Sequence, residues 1–203
     1  MEDNKPVLYT IGHSVHSIDH FIAILKRNKI DAIADVRSSP YSKFSPQFNR
    51  ESLKNSLKIE GIQYVFLGEE LGARRPEPQC YDDGKVVFRK VADVPAFRSG
   101  VERLQEGASK MRVAIMCAEK DPLICHRTVL VAHFAREEFS DIFHILEDGS
   151  IESLEHADAR LLREHKLDKE DFFTPYSERL ALAYAQRAEK IAYAEKQEQI
   201  AYG

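Results

Sequence analysis

The stretch Val113–Ala135, VAIMCAEKDPLICHRTVLVAHFA, decides the fold. It opens on an apolar run that ends at Cys117 and reads as a buried strand. A polar turn through Asp121 and Pro122 follows. Cys125, His126 and Arg127 then open an amphipathic helix. A strand followed by a helix that packs back on it is the repeating step of a parallel sheet, whose strands need crossovers rather than hairpins.

Working outward, the same alternation recurs on both sides. Val7–Gly12 (VLYTIG) reads as a strand. Ser17 is a plausible N-cap for a helix through DHFIAILKRN, where Phe21, Ile22 and Leu25 share a face. Ile30–Arg37 is a second strand, and SSPYSKFSPQ (Ser38–Gln47) a loop. A helix over Arg50–Ile59 stops near Gly61, and Ile62–Gly68 is a third strand. A long polar stretch without periodicity follows, up to about Lys90, of the kind that is functional or mobile. A helix over Pro95–Gln105, the Cys117 strand, the helix after Cys125 and a fifth strand over Ile142–Leu146 complete the pattern. The expected fold is α/β: a Rossmann-like three-layer sandwich with a mostly parallel central sheet of about five strands.

From about Asp171 the composition shifts toward Ala, Glu, Lys and Arg. PYSERLALAYAQRAEKIAYAEKQEQ (Pro175–Gln199) reads as one long terminal helix, with Leu180, Tyr184, Ala188 and Ile191 on a stripe. The expected organisation is an α/β domain over residues 1–170 and a C-terminal helical extension over residues 171–203. The stripe either docks on its own domain or meets a second copy in a homodimer.

Hydrophobic content of 43% and charged content of 31% are ordinary for a soluble globular chain. No apolar run approaches the roughly 20 residues that span a bilayer, so no membrane partner is expected. The polar N-terminus is no secretory signal, and three cysteines without one point to reduced thiols in the cytoplasm. A net charge of −4 provides no general attraction to nucleic acid.

In a doubly wound sheet, ligands bind outside the carboxyl ends of the strands. The expected strand ends carry His13 and Ser14, then Asp35 and Arg37, then Glu69 and Glu70, then Cys117 and Glu119, with Asp148 past the fifth. Unpaired amides and the dipole of the helix that begins near Cys125 favour an anion, and Arg127 would add to that pull. The same field lowers a thiol pKa, and His126 can carry a proton. The expected catalytic residues are therefore Cys125, Cys117, His126, His13 and Glu119. Substrate would be bound by Ser14, Asp35, Arg37 and Arg127. Against this stands core filling by the cysteines and a structural Asp35–Arg37 pair. Cys80, in the long loop, is read as incidental, and the remaining histidines as structural or solvated.

Cysteine phosphatases and rhodaneses also place a nucleophile at a strand end and an arginine at the next helix, but with a shorter interval than Cys117 to Arg127. The two cysteines are also wider apart than the usual zinc pair, so no metal is assigned. No dinucleotide or Walker loop is present, so dinucleotide or NTP binding in those modes is not indicated, and the cofactor is left open. The expected function is an enzyme, a cysteine-dependent hydrolase or transferase, acting on a small phosphate- or nucleotide-like anion. The alternatives are a nucleic-acid-associated protein contacting phosphates through Lys43, Arg50, Arg74, Arg75 and Arg89, a metal-dependent hydrolase, and a binding-only regulatory domain.

Five ordered segments, YTIGHS, DVRSSPYSKFSPQF, GIQYVFLGEELG, MCAEKDPLICHR and HILEDG, together with the ERLALAYAQRAEKIAY tail, closely resemble the bacterial and archaeal family called domain of unknown function 488. The resemblance runs from about Leu8 through the terminal helix. It implies an α/β sandwich and marks His13, Ser14, Asp35, Arg37, Cys117, Glu119, Cys125, His126 and Arg127 as motif positions. It implies no substrate.

Overall fold

The computed structural model describes residues 5–169 and 173–194. Its elements are β1 (Val7–Gly12), α1 (Ile18–Arg27), β2 (Ala32–Asp35), α2 (Arg50–Ile59), β3 (Gln63–Phe66) and α3 (Gly68–Leu71). Then come β4 (Tyr81–Asp82), β5 (Lys85–Val86), α4 (Phe88–Ala92), α5 (Pro95–Ala108) and β6 (Val113–Cys117). A π-helix over Arg127–Ala132 runs on as α6 (His133–Ala135), followed by β7 (Asp141–Ile145), β8 (Ile151–Ser153), α7 (Leu154–Glu164) and α8 (Tyr176–Ile191).

The central sheet has the order β3-β2-β6-β1-β7-β8. All its pairings are parallel except β7 with β8. The architecture is the expected α/β sandwich, with one antiparallel edge strand added. β1, β2 and β6 lie in the middle and are almost wholly buried, which is why they read as continuous apolar runs. Right-handed crossovers explain the two layers. The chain steps one way from β1 to β2 to β3, so α1 and α2 cover one face: Phe21, Leu25, Leu53 and Leu57 pack there on Ile11, Ile33 and Met116. It then steps back through β6 to β7, placing the later helices on the other face against Ala34, Val113 and Ile115.

Local chemistry sets the boundaries. The Ser17 hydroxyl accepts from the His20 amide at the start of α1, and Ser153 does the same for His156 at α7. Pro95 opens α5, where a missing amide costs nothing. Two sequence expectations need correction. The stretch after Gly68 is not a structureless loop: α3, a β4–β5 hairpin and α4 build it, and Cys80 is fully buried in the core beneath them. The terminal helix also ends earlier than expected. Ala192 is extended, and Ala194 bridges back to Lys85; the end of the expected helix, from residue 195, lies outside the described residues. α8 lies on its own domain, where Leu180 and Ala183 are buried and the Tyr184 hydroxyl donates to Asp158 at 2.6 Å.

His144 on β7 is fully buried, with Nδ1 2.8 Å from the Thr10 hydroxyl. Burial, then the charges of Arg127 and Arg160, push its pKa down to about 3. The folded state therefore refuses a proton that the unfolded chain accepts below about pH 6.5. Its stabilising share is complete above that pH and is lost as pH falls toward 3. His144→Gln, which can keep the Thr10 bond, should flatten the fall of unfolding free energy between about pH 6 and 4 by up to about 1.4 kcal/mol per pH unit. Urea titrations at several pH values check this; parallel curves for the two proteins would reject it.

Candidate functional site

Three strand ends meet at the centre of one sheet edge, where Gly12 pairs with Cys117 and Asp35 with Met116. The chain leaves β1 toward one face and β6 toward the other, so the two loops diverge and open a crevice between them. His13 and Ser14 continue the pairing, donating from their amides to the Cys117 and Ala118 carbonyls at 2.9 Å.

The loop after β6 folds back on itself, and Arg127 holds it there. Its side chain is entirely buried and donates to the carbonyls of Glu119 (2.6 Å) and Lys120 (3.0 Å). Asp121 accepts from the Leu123 amide and caps a short turn over Pro122–Ile124. Gly12 makes the close approach possible, since a Cβ there would lie 1.8 Å from the Glu119 carbonyl oxygen. The folded loop brings Cys125 back beside Cys117 across residues 118–124, a meeting that the linear spacing hides.

The result is a compact cluster. Glu119 Oε2 lies 3.1 Å from the sulfurs of both Cys117 and Cys125. His126 Nδ1 lies 3.4 Å from Cys117 Sγ, and the ring's Nε2 lies 2.9 Å from the Val36 carbonyl oxygen. A carbonyl only accepts, so Nε2 carries a proton and Nδ1 faces the thiols. All three cysteines are free thiols. Burial, the Cys125 contact and Glu119 raise the Cys117 pKa well above the usual thiol range. Burial opposes ionisation of Cys125 too, but the hydrogen bond with Cys117 and the charges of Arg127 and His126 outweigh it and hold that pKa well below the usual range. Burial lowers His126, but contact with Cys125 outweighs it and raises the pKa. Burial and the neighbouring Cys125 raise Glu119.

Beside this cluster stands a second one. Arg37 grips Asp35 through both carboxylate oxygens, at 2.9 and 2.6 Å, and also donates to the Phe48 carbonyl and toward His13 Nε2. Tyr64 donates to Asp35 as well, at 2.7 Å. His13 is stacked on Phe48, and burial together with Arg37 takes its pKa down to about 4, so it is neutral and accepts from the guanidinium. These contacts fix Arg37 in place and leave one of its five N–H donors uncommitted.

A cleft of about 340 Å³ opens over both groups. Cys117, Glu119, Cys125 and His126 line it together with Arg37, Ser38, Ser39 and Arg74, and Phe88, Ile191 and Tyr193 form its apolar side. Arg74 is exposed, stacks on the Tyr193 ring at 4.4 Å, and has no carboxylate partner among the described residues. A somewhat larger and more apolar cavity of about 400 Å³ lies between α4 and α8, but no sulfur and no cluster of acids faces it. The chemistry singles out the smaller one.

The expected site residues thus gather at one edge, with different tasks. Cys117, Glu119, Cys125, His126 and Arg37 face the cleft, whereas His13 and Asp35 support Arg37 from behind. Ser14 joins the β6 backbone at the left-handed φ of 48°. Arg127, expected to bind substrate, is turned inward and clamps the loop. Its amide points at Cys125 Sγ (3.5 Å), so the helix start serves the protein's own sulfur rather than an external anion. Glu69 and Glu70 belong to α3, and Asp148 caps a turn at Ser150. Sequence reasoning did not single out Ser38, Tyr193 or the cleft role of Arg74. A stacked arginine and a tyrosine from the chain's far end leave no local signal.

Among the described residues, no helix is long and apolar enough to cross a membrane. Comparison with curated proteins and with solved structures gave no match. A family description, Domain of unknown function DUF488, matches residues 17–134, which is more than half of the chain and contains the whole thiol cluster. The chain belongs to the DUF488 family.

Proposed function

We propose that this protein is an enzyme that hydrolyses or transfers a group of a small anionic, phosphate- or nucleotide-like substrate in the cleft over Cys117, Glu119, Cys125 and His126. One observation carries the reading: two thiols, an imidazole and a carboxylate converge within hydrogen-bonding reach on a cleft that also holds Arg37 and Arg74, the latter with no carboxylate partner among the described residues. Core packing accounts for the two thiols but not for an imidazole and a carboxylate set against them, and burying those polar groups costs free energy that a folded chain otherwise avoids. Arg74 and the free donor of Arg37 suit an anionic group. Glu119, whose raised pKa brings its titration toward neutrality, suits proton transfer to or from the reacting atoms.

Recognition of nucleic acid is less well supported. Arg75 is buried and engaged with Glu77 and the carbonyls of Glu69 and Glu70, while Arg89 pairs with Asp93. Arg75 is thereby withdrawn from the five expected phosphate contacts, while Arg89 stays exposed in a surface pair.

Calorimetric titration with inorganic phosphate and nucleoside monophosphates, with turnover assays on phosphate esters of the same compounds, tests the proposal. Arg74→Ala should weaken binding by about 10-fold or more, the worth of one charge-assisted hydrogen bond, with little change in melting temperature. Binding of no member of this class, or equal binding by the variant, would count against the reading.

A further inference from the structure

We infer that Cys117, Cys125 and His126 are the protein ligands of a soft divalent metal ion, zinc by chemistry, with Glu119 beside its open fourth position. The inference goes beyond the proposed enzyme by naming its cofactor, and ion binding itself does not depend on that enzyme reading.

The geometry comes first. The two sulfurs and a ring nitrogen of His126 all lie within 4.8 Å of one another. Zinc bonds of about 2.3 Å to sulfur and about 2.0–2.1 Å to nitrogen, set tetrahedrally, place neighbouring S and N atoms about 3.6 Å apart. Cys117 Sγ and His126 Nδ1 are 3.4 Å apart. That pair is thus within a few tenths of an ångström of the spacing an ion needs, and Cys125 Sγ lies within 4.8 Å of both atoms. Glu119 Oε2 lies 3.1 Å from each sulfur but outside the three-ligand group, close enough to accept a proton from a water that an ion would hold in its fourth position.

The surroundings agree. The Val36 carbonyl takes the Nε2 proton of His126 and orients the Nδ1 lone pair toward the sulfurs, the outer contact that metal-bound histidines require. Charge gives a second, independent reason. The Arg127 guanidinium is a fully buried cation that bonds only to carbonyls among the described residues. Two thiolates and Glu119 bring three negative charges, a divalent ion leaves one, and Arg127 cancels it. The thiols are almost fully covered, Cys117 at 3% and Cys125 at 1% exposure, which suits ligation better than attack on a bulky substrate. Ligand type narrows the ion: two sulfurs and an imidazole favour zinc over magnesium or calcium. The wide cysteine spacing that argues against a metal in the sequence is closed by the loop that Arg127 folds back.

Binding should displace up to two thiol protons to solvent. The full-length protein, stripped with a chelator under reducing conditions, should take up about one equivalent of Zn²⁺ and release protons in step. Co²⁺ in its place should give thiolate-to-cobalt charge-transfer absorption and the visible bands of a tetrahedral ion. Cys117→Ser, Cys125→Ser and His126→Ala should each lose about 100-fold or more in affinity, whereas Glu119→Gln should keep the ion. Zn²⁺ should also shield Cys117 and Cys125 of the unaltered chain from alkylation, mapped by mass spectrometry, a readout independent of how well any variant folds. Failure to bind a stoichiometric ion, or equal alkylation with and without Zn²⁺, would overturn the inference. Turnover that survives complete metal removal would overturn the cofactor and leave the enzyme standing. A bound ion without turnover would do the reverse.

Discussion

Arg127→Met is expected to lower the unfolding free energy by about 3–5 kcal/mol, and the melting temperature by on the order of 10 °C. Two effects oppose each other at this position. Replacing a buried cation with an apolar side chain of similar length removes a desolvation cost, and such exchanges sometimes stabilise a protein. Here the partners stay behind. The Glu119 and Lys120 carbonyls lose charge-assisted donors worth about 1.5–3 kcal/mol each, while the Arg160 grip on Asp121 still holds the next part of the loop. The loss wins. Arg127→Lys should recover part of the stability, because a single ammonium cannot repeat the fork that spans both carbonyls. Urea unfolding of the three proteins settles the point, and a loss below about 1 kcal/mol for the methionine variant would show that the loop holds without its clamp.

Gly12→Ala should be of comparable severity, for a steric reason. The new methyl would meet the Glu119 carbonyl oxygen at 1.8 Å and the Arg127 guanidinium at 3.0 Å. Neither can step aside, since each holds the other. The strand end or the loop must move by an ångström or more, at a cost of about 3 kcal/mol. The same movement shifts the loop that brings Cys125 and His126 to Cys117, so zinc affinity should fall with stability. Gly107→Ala in α5 is the control. The nearest atom there is 3.7 Å away, and removing a helical glycine should stabilise by up to about 0.5–1 kcal/mol. If both substitutions shift the melting temperature alike, close packing at Gly12 is not what that glycine provides.

Much of the layered fold is legible in the sequence because it rests on local rules. The helix over Arg50–Ile59 is bounded by the turn at Gly61, and the strand ending at Cys117 is a buried run between polar turns. The region after Gly68 resists such reading because its anchors, Leu71, Cys80, Val86, Phe88 and Val91, follow no single period. They come from several very short elements and share one core cluster, so no single face collects them. α7 does carry helical spacing at Leu154, Ala157, Leu161 and Leu162, but the buried Asp158 interrupts its apolar face. At the site, residue types and strand ends identify the edge. They do not tell which way a guanidinium turns, and so Arg127 reads as a ligand group when it is a clamp. The cluster itself depends on a loop closure that spacing alone argues against.

The apolar side of the cleft includes Ile191 and Tyr193, which continue directly from α8, while its floor belongs to the loop after β6. Anything that binds there and touches both must favour the docked tail over an undocked one. Coupling of this kind is reciprocal: the free energy by which a docked α8 tightens a ligand equals that by which the ligand tightens α8. Occupancy of the cleft should therefore be visible far from the sulfurs, as slower hydrogen exchange along α8. Substitutions at the α8–α7 contact, such as Tyr184→Phe, would tune ligand affinity without altering a single group inside the cleft.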